Sequence, residues 1–259
     1  MQQPTGPITA SGIARAARGA SFDGIPTLRS ASEFAAGARG RISDYVYEEL
    51  SEAIRSLRLE PGAPLSEPAV AEWLGVSRAP VREAFTRLVE QRFVLVQPQV
   101  GSRVAPISMR DVADAVFIRT ALETAALRQA VESGELDTGE LQRVVTANRE
   151  AAANGDAEGF FETDEQLHEL VFALAGLPHM WRFVRGTKMH LDRLRRLSLP
   201  FTLAEPAVCD EHQRIVDALV ARDASAGAAV VHEHAHRVID DSIRIRREYP
   251  DYFAQSDER

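Results

Sequence analysis

The change of hydrophobic period at Pro106 is the feature that most limits how this 259-residue chain can fold. Beyond it no strand-like alternation recurs. Apolar residues repeat instead at helical spacing, over about 108–132, 138–153, 157–175, 179–198, 205–222 and 225–247. The turn signals "SGELD", "NGD", "AGLPH", "LPFTLAEP" and "RDAS" separate these blocks. Ser108 stands three residues before Asp111, which is a capping-box-like start for the first of them. About six amphipathic helices joined by short turns predict an all-helical bundle.

Before Pro106 the pattern is different. Tyr45, Leu50, Ile54 and Leu57 mark a first helix, ended by the two prolines and glycine of "LEPGAPLSE". "EPAVAEWLG" reads as a short second helix stopped at Gly75. "VSRAPVREAFTRLVEQRF" reads as a third, with Ser77 where an N-cap belongs and Pro80 in the first turn. "FVLVQ" and "RVAPI" then flank "PQVGS" as a β-hairpin. The fold class predicted is mainly α: an N-terminal winged helix-turn-helix followed by the helical bundle. The domains expected are a flexible arm over 1–38, the winged helix over 39–107, the bundle over 108–247 and a tail over 248–259.

Three helices and a hairpin in this order place the third helix in a DNA major groove, N-terminus first. The leading residues are Ser77, Arg78, Ala79 and Arg82. Arginine pairs two-pronged with guanine and also meets phosphate. Val81, Phe85 and Leu88 recur on the opposite face and should pack inward. Gly101 in the hairpin lets the backbone approach a groove edge. Charge agrees with this placement. Residues 1–108 carry 12 Arg against 11 acids, whereas the whole chain has net charge −8, so the excess acid lies in the bundle. Segment 77–103 alone holds five Arg against two Glu. The plainer alternative for these arginines is a solvated helix face.

The arm is rich in Ala, Gly, Ser and Arg without sustained period. Its five Arg between residues 15 and 41 suit a solvated tail, with phosphate contact as the alternative. Cys209 is the only cysteine, which excludes an internal disulfide and a cysteine-rich zinc finger. The lone cysteine fits a reducing cytoplasm. No signal-peptide pattern and no membrane-spanning apolar run is expected.

Within the bundle, charges fall on oily faces. Asp164 and His168 are four residues apart, in phase with Phe160, Phe161, Leu167 and Val171. His212 shares a face with Ile215, Val216 and Leu219, and His234 with Val230, Val231 and Val238. A single inward histidine is most often a satisfied core residue. Four such groups raise a different question, because an unpaired buried carboxylate is costly. A divalent transition metal would compensate all four, and this donor set without Cys suits zinc, nickel or manganese better than calcium. His232 and His236 flank His234 but point to the surface. Arg119 and Glu123 also fall in core phase, with Val112, Val116 and Ala126. They are either an internal ion pair or, for Arg119, a clamp on an acid that also touches the metal.

Two resemblances follow from these motifs. "LSEPAVAEWLGVSRAPVREAFTRLVEQRFV" is similar to the winged helix of GntR-type bacterial transcription factors over about 65 residues. That resemblance implies DNA contacts by Arg78 and Arg82, support from Ser77, and Gly101 in the wing. The departures are Ala79 for a common Thr, Arg92 for a common Gly, and Pro68 at an often basic place. Residues 108–247 resemble the FCD-type ligand-binding domain of the FadR-like branch, through "RTALE", "DEQLHELVFALAG" and "EHQRIVDALVARDASAGAAVVHEHAHRV". This second resemblance implies a metal held by Asp164, His168, His212 and His234, with Arg119 meeting an organic-acid effector. Leu177 departs from the Asn common after the glycine.

The expectation is therefore a metabolite-responsive transcription regulator of the repressor kind, not an enzyme. It should bind a palindromic operator in double-stranded DNA as a homodimer joined through the bundle. A small carboxylate or sugar acid near the metal would disfavour the arrangement that fits the half-site spacing. The alternatives are a metal-dependent enzyme using the Asp/His3 set, and a regulator whose metal is purely structural.

Overall fold

A computed structural model describes residues 22, 24–37, 40–97, 101–133, 137–203 and 207–255. The chain divides into two compact units, Met1–Pro106 and Ile107–Arg259.

The first unit has helices α1 (Ala31–Gly37), α2 (Ile42–Arg55), α3 (Glu67–Leu74) and α4 (Arg78–Glu90). Strands β1 (Pro64–Leu65), β2 (Val94–Gln97) and β3 (Gly101–Val104) form an antiparallel sheet in the order β1-β3-β2. On α2, Tyr45, Val46, Leu50, Ala53 and Ile54 are buried, which is one apolar stripe of a helix. Ser66 caps α3 by accepting from Ala69 N at 3.3 Å. Gly75 ends α3 in the left-handed region at φ 64°, where a Cβ would be strained, and this sets the tight turn into α4. Val81, Ala84, Phe85 and Leu88 bury the inner face of α4, as their spacing predicts. Arg92 also has a positive φ, 62°, two residues after the end of α4. This explains physically why glycine suits that place; an L-residue there costs on the order of 1 kcal/mol.

The flexible arm predicted over 1–38 needs correction where it is described. Phe22 is buried and stacks on Trp73 with centroids 5.0 Å apart, and Trp73 Nε1 donates to Ile25 O at 2.9 Å. Tyr45 Oη donates to Arg29 O at 2.9 Å. The buried Glu49 carboxylate accepts from the backbone N–H of Leu28 at 2.8 Å and Arg29 at 3.2 Å. Phe34, on α1, is buried against Tyr45. Two isolated aromatic anchors give no period, so pattern reading passes over them. The rest of the arm, residues 1–21, 23 and 38, lies outside the described residues, as do the hairpin-turn residues 98–100.

The second unit contains α5 (Met109–Glu132), α6 (Gly139–Ala153), α7 (Ala157–Leu174), α8 (Pro178–Thr187), α9 (Met189–Thr202), α10 (Ala207–Val220) and α11 (Ala224–Glu248). Ser108 Oγ caps α5 by accepting from Asp111 N at 3.1 Å. The single helix predicted over 179–198 is in fact two, broken at Lys188. The Lys188 ammonium is fully buried between Glu165 and Asp192. Core residues include Leu127, Leu141, Leu167, Phe172, Trp181, Ile215 and Val231. The predicted tail is not free up to residue 255. Phe253 is buried, Ile107 N donates to Tyr252 O at 2.7 Å, and Ala254 N returns to Ile107 O at 3.0 Å. No helix among the described residues is long and apolar enough to cross a membrane.

Candidate functional site

In the second unit, Asp164 and His168 come from α7, His212 from α10 and His234 from α11. All four are buried, and they offer one ligand atom each, all within 4.8 Å of one another. The sequence-predicted set is thus brought together, and the surrounding hydrogen bonds fix which atoms converge.

His168 Nδ1 lies 2.9 Å from Glu123 Oε2. Burial raises the Glu123 carboxyl, but the Arg119 guanidinium and His168 outweigh it and hold the group below the usual carboxylate range. An ionised Glu123 accepts, so the proton of His168 sits on Nδ1. His234 Nδ1 lies 3.1 Å from Glu211 Oε2. Burial likewise raises Glu211, while bonds from His234 and Arg237 carry it down to about 2. His212 Nδ1 lies 2.9 Å from Asn148 Oδ1. The Asn148 amide is oriented by Nδ2, which donates to Phe160 O at 3.0 Å and to Thr163 Oγ1 at 2.9 Å. Its oxygen must therefore accept from His212. Each imidazole has its Nδ1 proton engaged and turns an Nε2 lone pair inward.

Those lone pairs face one another and a carboxylate. His168 Nε2 and His234 Nε2 are 3.2 Å apart, and His212 Nε2 is 3.2 Å from Asp164 Oδ1. His212 Nε2 is buried and makes no hydrogen bond among the described residues. Burial pushes His234 down to about 3, only partly offset by Glu211, and burial also lowers His168. Burial opposes ionisation of Asp164, but the Arg195 guanidinium outweighs it and keeps its carboxyl well below the usual range. His168 and His234 are thus neutral beside an ionised carboxylate, the protonation states a metal ion requires. A cation between the lone pairs would relieve their repulsion and satisfy the orphaned His212 nitrogen. The residues fit a divalent transition metal held by Asp164, His168, His212 and His234, with no sulfur ligand.

Four supporting groups escaped the sequence reading: Asn148, Arg195, Glu211 and Arg237. Arg195 Nη2 bonds Asp164 Oδ2, which leaves Oδ1 toward the imidazoles, and its Nη1 bonds Glu165 Oε1 at 3.0 Å. Arg237 Nε bonds Glu211 Oε2 at 3.2 Å. Asn148 was findable, because it lies in phase with Leu141 and Val145 on the buried face of α6. Arg119 and Glu123 form the buried ion pair that was the plainer expectation, at 2.7 Å. Arg119 also lines a cavity of about 40 Å³ beside Asp164, His234, Arg195, Ser198 and Arg237. That is room for a few water molecules. His232 is exposed and His236 half-buried, with stacked rings 4.0 Å apart.

In the first unit, Ser77, Arg78, Ala79 and Arg82 are exposed at the start of α4. Arg82 is held by Glu67 on α3, with Nη2 3.2 Å from Oε2. Arg41, one of the five Arg between residues 15 and 41, lines one groove with Ser77 and Ala79. Arg87 faces elsewhere, bonding Asp44 at 2.8 Å and covering the Tyr47 ring at 3.8 Å. Gly101 is exposed at the head of β3 with φ 115°, a conformation L side chains rarely adopt.

Comparison with known proteins finds a family domain in each unit. Residues 42–104 match the model for bacterial regulatory proteins of the gntR family, and residues 114–237 match the FCD domain model. An HTH-type transcriptional regulator in an unstable DNA locus of Streptomyces ambofaciens is 36% identical over 212 residues, covering 81% of this chain and 88% of that one. The HTH-type transcriptional repressor RspR of Escherichia coli (strain K12) is 32% identical over 215 residues, covering 83% and 94%. The solved structure of E. coli McbR/YncC has the same fold, with TM-score 0.66 at 23% identity over 81% of this chain and 99% of that one.

Proposed function

The chain belongs to the GntR family of bacterial regulatory proteins and carries an FCD domain, so it is a DNA-binding transcription regulator and not an enzyme; on that premise we propose that it is a repressor released from its operator by a small organic or sugar acid bound beside a metal ion. The observation that carries the proposal is the buried convergence of three imidazole lone pairs and the Asp164 oxygen, with the Arg119 guanidinium in the wall of the adjoining cavity. A metal there, zinc foremost, supplies a Lewis-acidic charge for an acid's oxygen, and Arg119 supplies donors for its carboxylate. The name of the 32%-identical RspR supports the repressor sense. In the first unit, Arg78 and Arg82 read the operator, Ser77 and Ala79 bring the helix end close, and Gly101 carries the wing. A homodimer matches a palindromic operator, and the exposed Phe117 and Phe183 of the second unit suit a covered surface.

A purely structural metal is the competing reading, favoured by four protein donors and a cavity of only about 40 Å³. A thermal-melt screen of organic and sugar acids separates the two, run on metal-loaded and on chelated protein. One acid raising the midpoint only with metal present is the expected outcome. Chelation lowering the midpoint while no acid raises it would leave the metal structural.

A further inference from the structure

Arg119 holds a contact that a bound cation must break. Its Nε donates to Glu123 Oε1 at 2.7 Å, and its Nη2 lies 2.6 Å from His168 Nε2. Because Glu123 Oε2 fixes the His168 proton on Nδ1, the Nε2 atom has one lone pair, and the Arg119 N–H takes it. This is the same nitrogen that stands 3.2 Å from His234 Nε2 and belongs to the converging donor set. One lone pair serves either an N–H or a metal ion, so the two bonds are mutually exclusive. Arg119 has a second place to go, because it already lines the cavity next to Asp164 and His234.

We propose that Arg119 is a displaceable cap on the metal centre. A cation arriving at His168 Nε2 expels the Nη2 contact while the Nε bond to Glu123 stays as a pivot. The expelled N–H groups then face the cavity and become donors for a carboxylate. The site assembles in one order, metal first and acid second, so the acid responds to a metal-loaded protein only. This rests on the reading above that the centre takes a metal, and adds the competition within it. A guanidinium that merely supported the ligands would have the opposite effect on metal affinity.

Zinc affinity of the full chain tests the cap, measured by titration against a chelating dye at pH 8, where imidazole protonation is negligible. Two variants are compared with wild type. Arg119→Met removes contact and charge; Arg119→Lys keeps a cation beside Glu123 but lacks the second prong that reaches His168. Both are expected to bind zinc more tightly than wild type, by about tenfold or more, the worth of one charged hydrogen bond. Equal or weaker binding by both overturns the cap and leaves the metal reading intact. Tighter binding by Arg119→Met with Arg119→Lys at the wild-type value also overturns it, since charge alone would then be responsible. A wild-type chain that takes up no zinc removes the metal reading, and the cap with it. Should Arg119→Met fail to fold by circular dichroism, Arg119→Lys alone decides, tighter binding supporting the cap and equal or weaker binding overturning it.

Discussion

Replacing Arg78 and Arg82 together by alanine is expected to abolish specific operator binding. Both side chains are exposed at the N-terminal end of α4, the end that enters a major groove in helix-turn-helix proteins. Each two-pronged contact to a base is worth about 10- to 100-fold in affinity, so the pair should account for at least about a hundredfold. Arg82 carries a further consequence of its bond to Glu67. The carboxylate holds the guanidinium extended across α3 and α4 before DNA arrives, so Glu67→Gln should change operator affinity less than either arginine. Neither arginine packs in the core, so the melting midpoint and metal content of the double variant should match wild type. Fluorescence anisotropy on an operator selected with the wild-type chain reads the effect. Unchanged binding by the double variant would sink the assignment of α4 as the reading helix.

The second large effect is expected at Asp164. Asp164→Asn keeps the shape of the side chain and removes the one anionic ligand of the centre. Metal binding should fall by at least about a hundredfold, and with it the stabilisation that a saturating ion gives the folded state, about 2.7 kcal/mol at a hundred times Kd. Chelation should lower the wild-type midpoint by several degrees and leave the variant's midpoint unmoved. The variant is also expected to be weaker without metal, because Arg195 loses one of its acidic partners while Glu165 and Asp192 remain. Breaking a buried pair of this kind costs about 3 kcal/mol, and less here because two partners are kept. Differential scanning fluorimetry with and without chelator measures both parts. A variant whose midpoint still falls on chelation would show that the metal sits elsewhere.

Much of the centre was legible because the chain places charge where helix periodicity calls for oil. Asp164 and His168 sit in phase with Phe161, Leu167 and Val171, and that phase error is visible without any contact being known. The supporting groups were harder to see for definite reasons. Glu211 adjoins His212 in "DEHQR", a run of polar residues that hides which side chain turns inward. Arg195 lies in "RLRR", where three arginines blur the register, although it is the one that reaches Asp164. The break at Lys188 follows Gly186, a lone glycine of the kind a helical pattern can carry; the buried pairing of the Lys188 ammonium with Glu165 and Asp192 accompanies the break. Residues 22 and 24–37 show the opposite limit. Their order comes from Phe22 on Trp73 and from Glu49 binding two backbone N–H groups, contacts far apart in sequence that leave no local pattern.

The central claim is that the buried centre of the second unit governs DNA binding by the first. The most direct test is operator affinity of the metal-loaded wild-type chain, titrated with the acid that raises its melting midpoint only when metal is present. Operator affinity is predicted to fall by about 5- to 150-fold as that acid saturates, the usual range for coupling between two sites, and to stay constant when the protein has been chelated. An acid that stabilises the metal-loaded protein while operator affinity stays the same would contradict the claim.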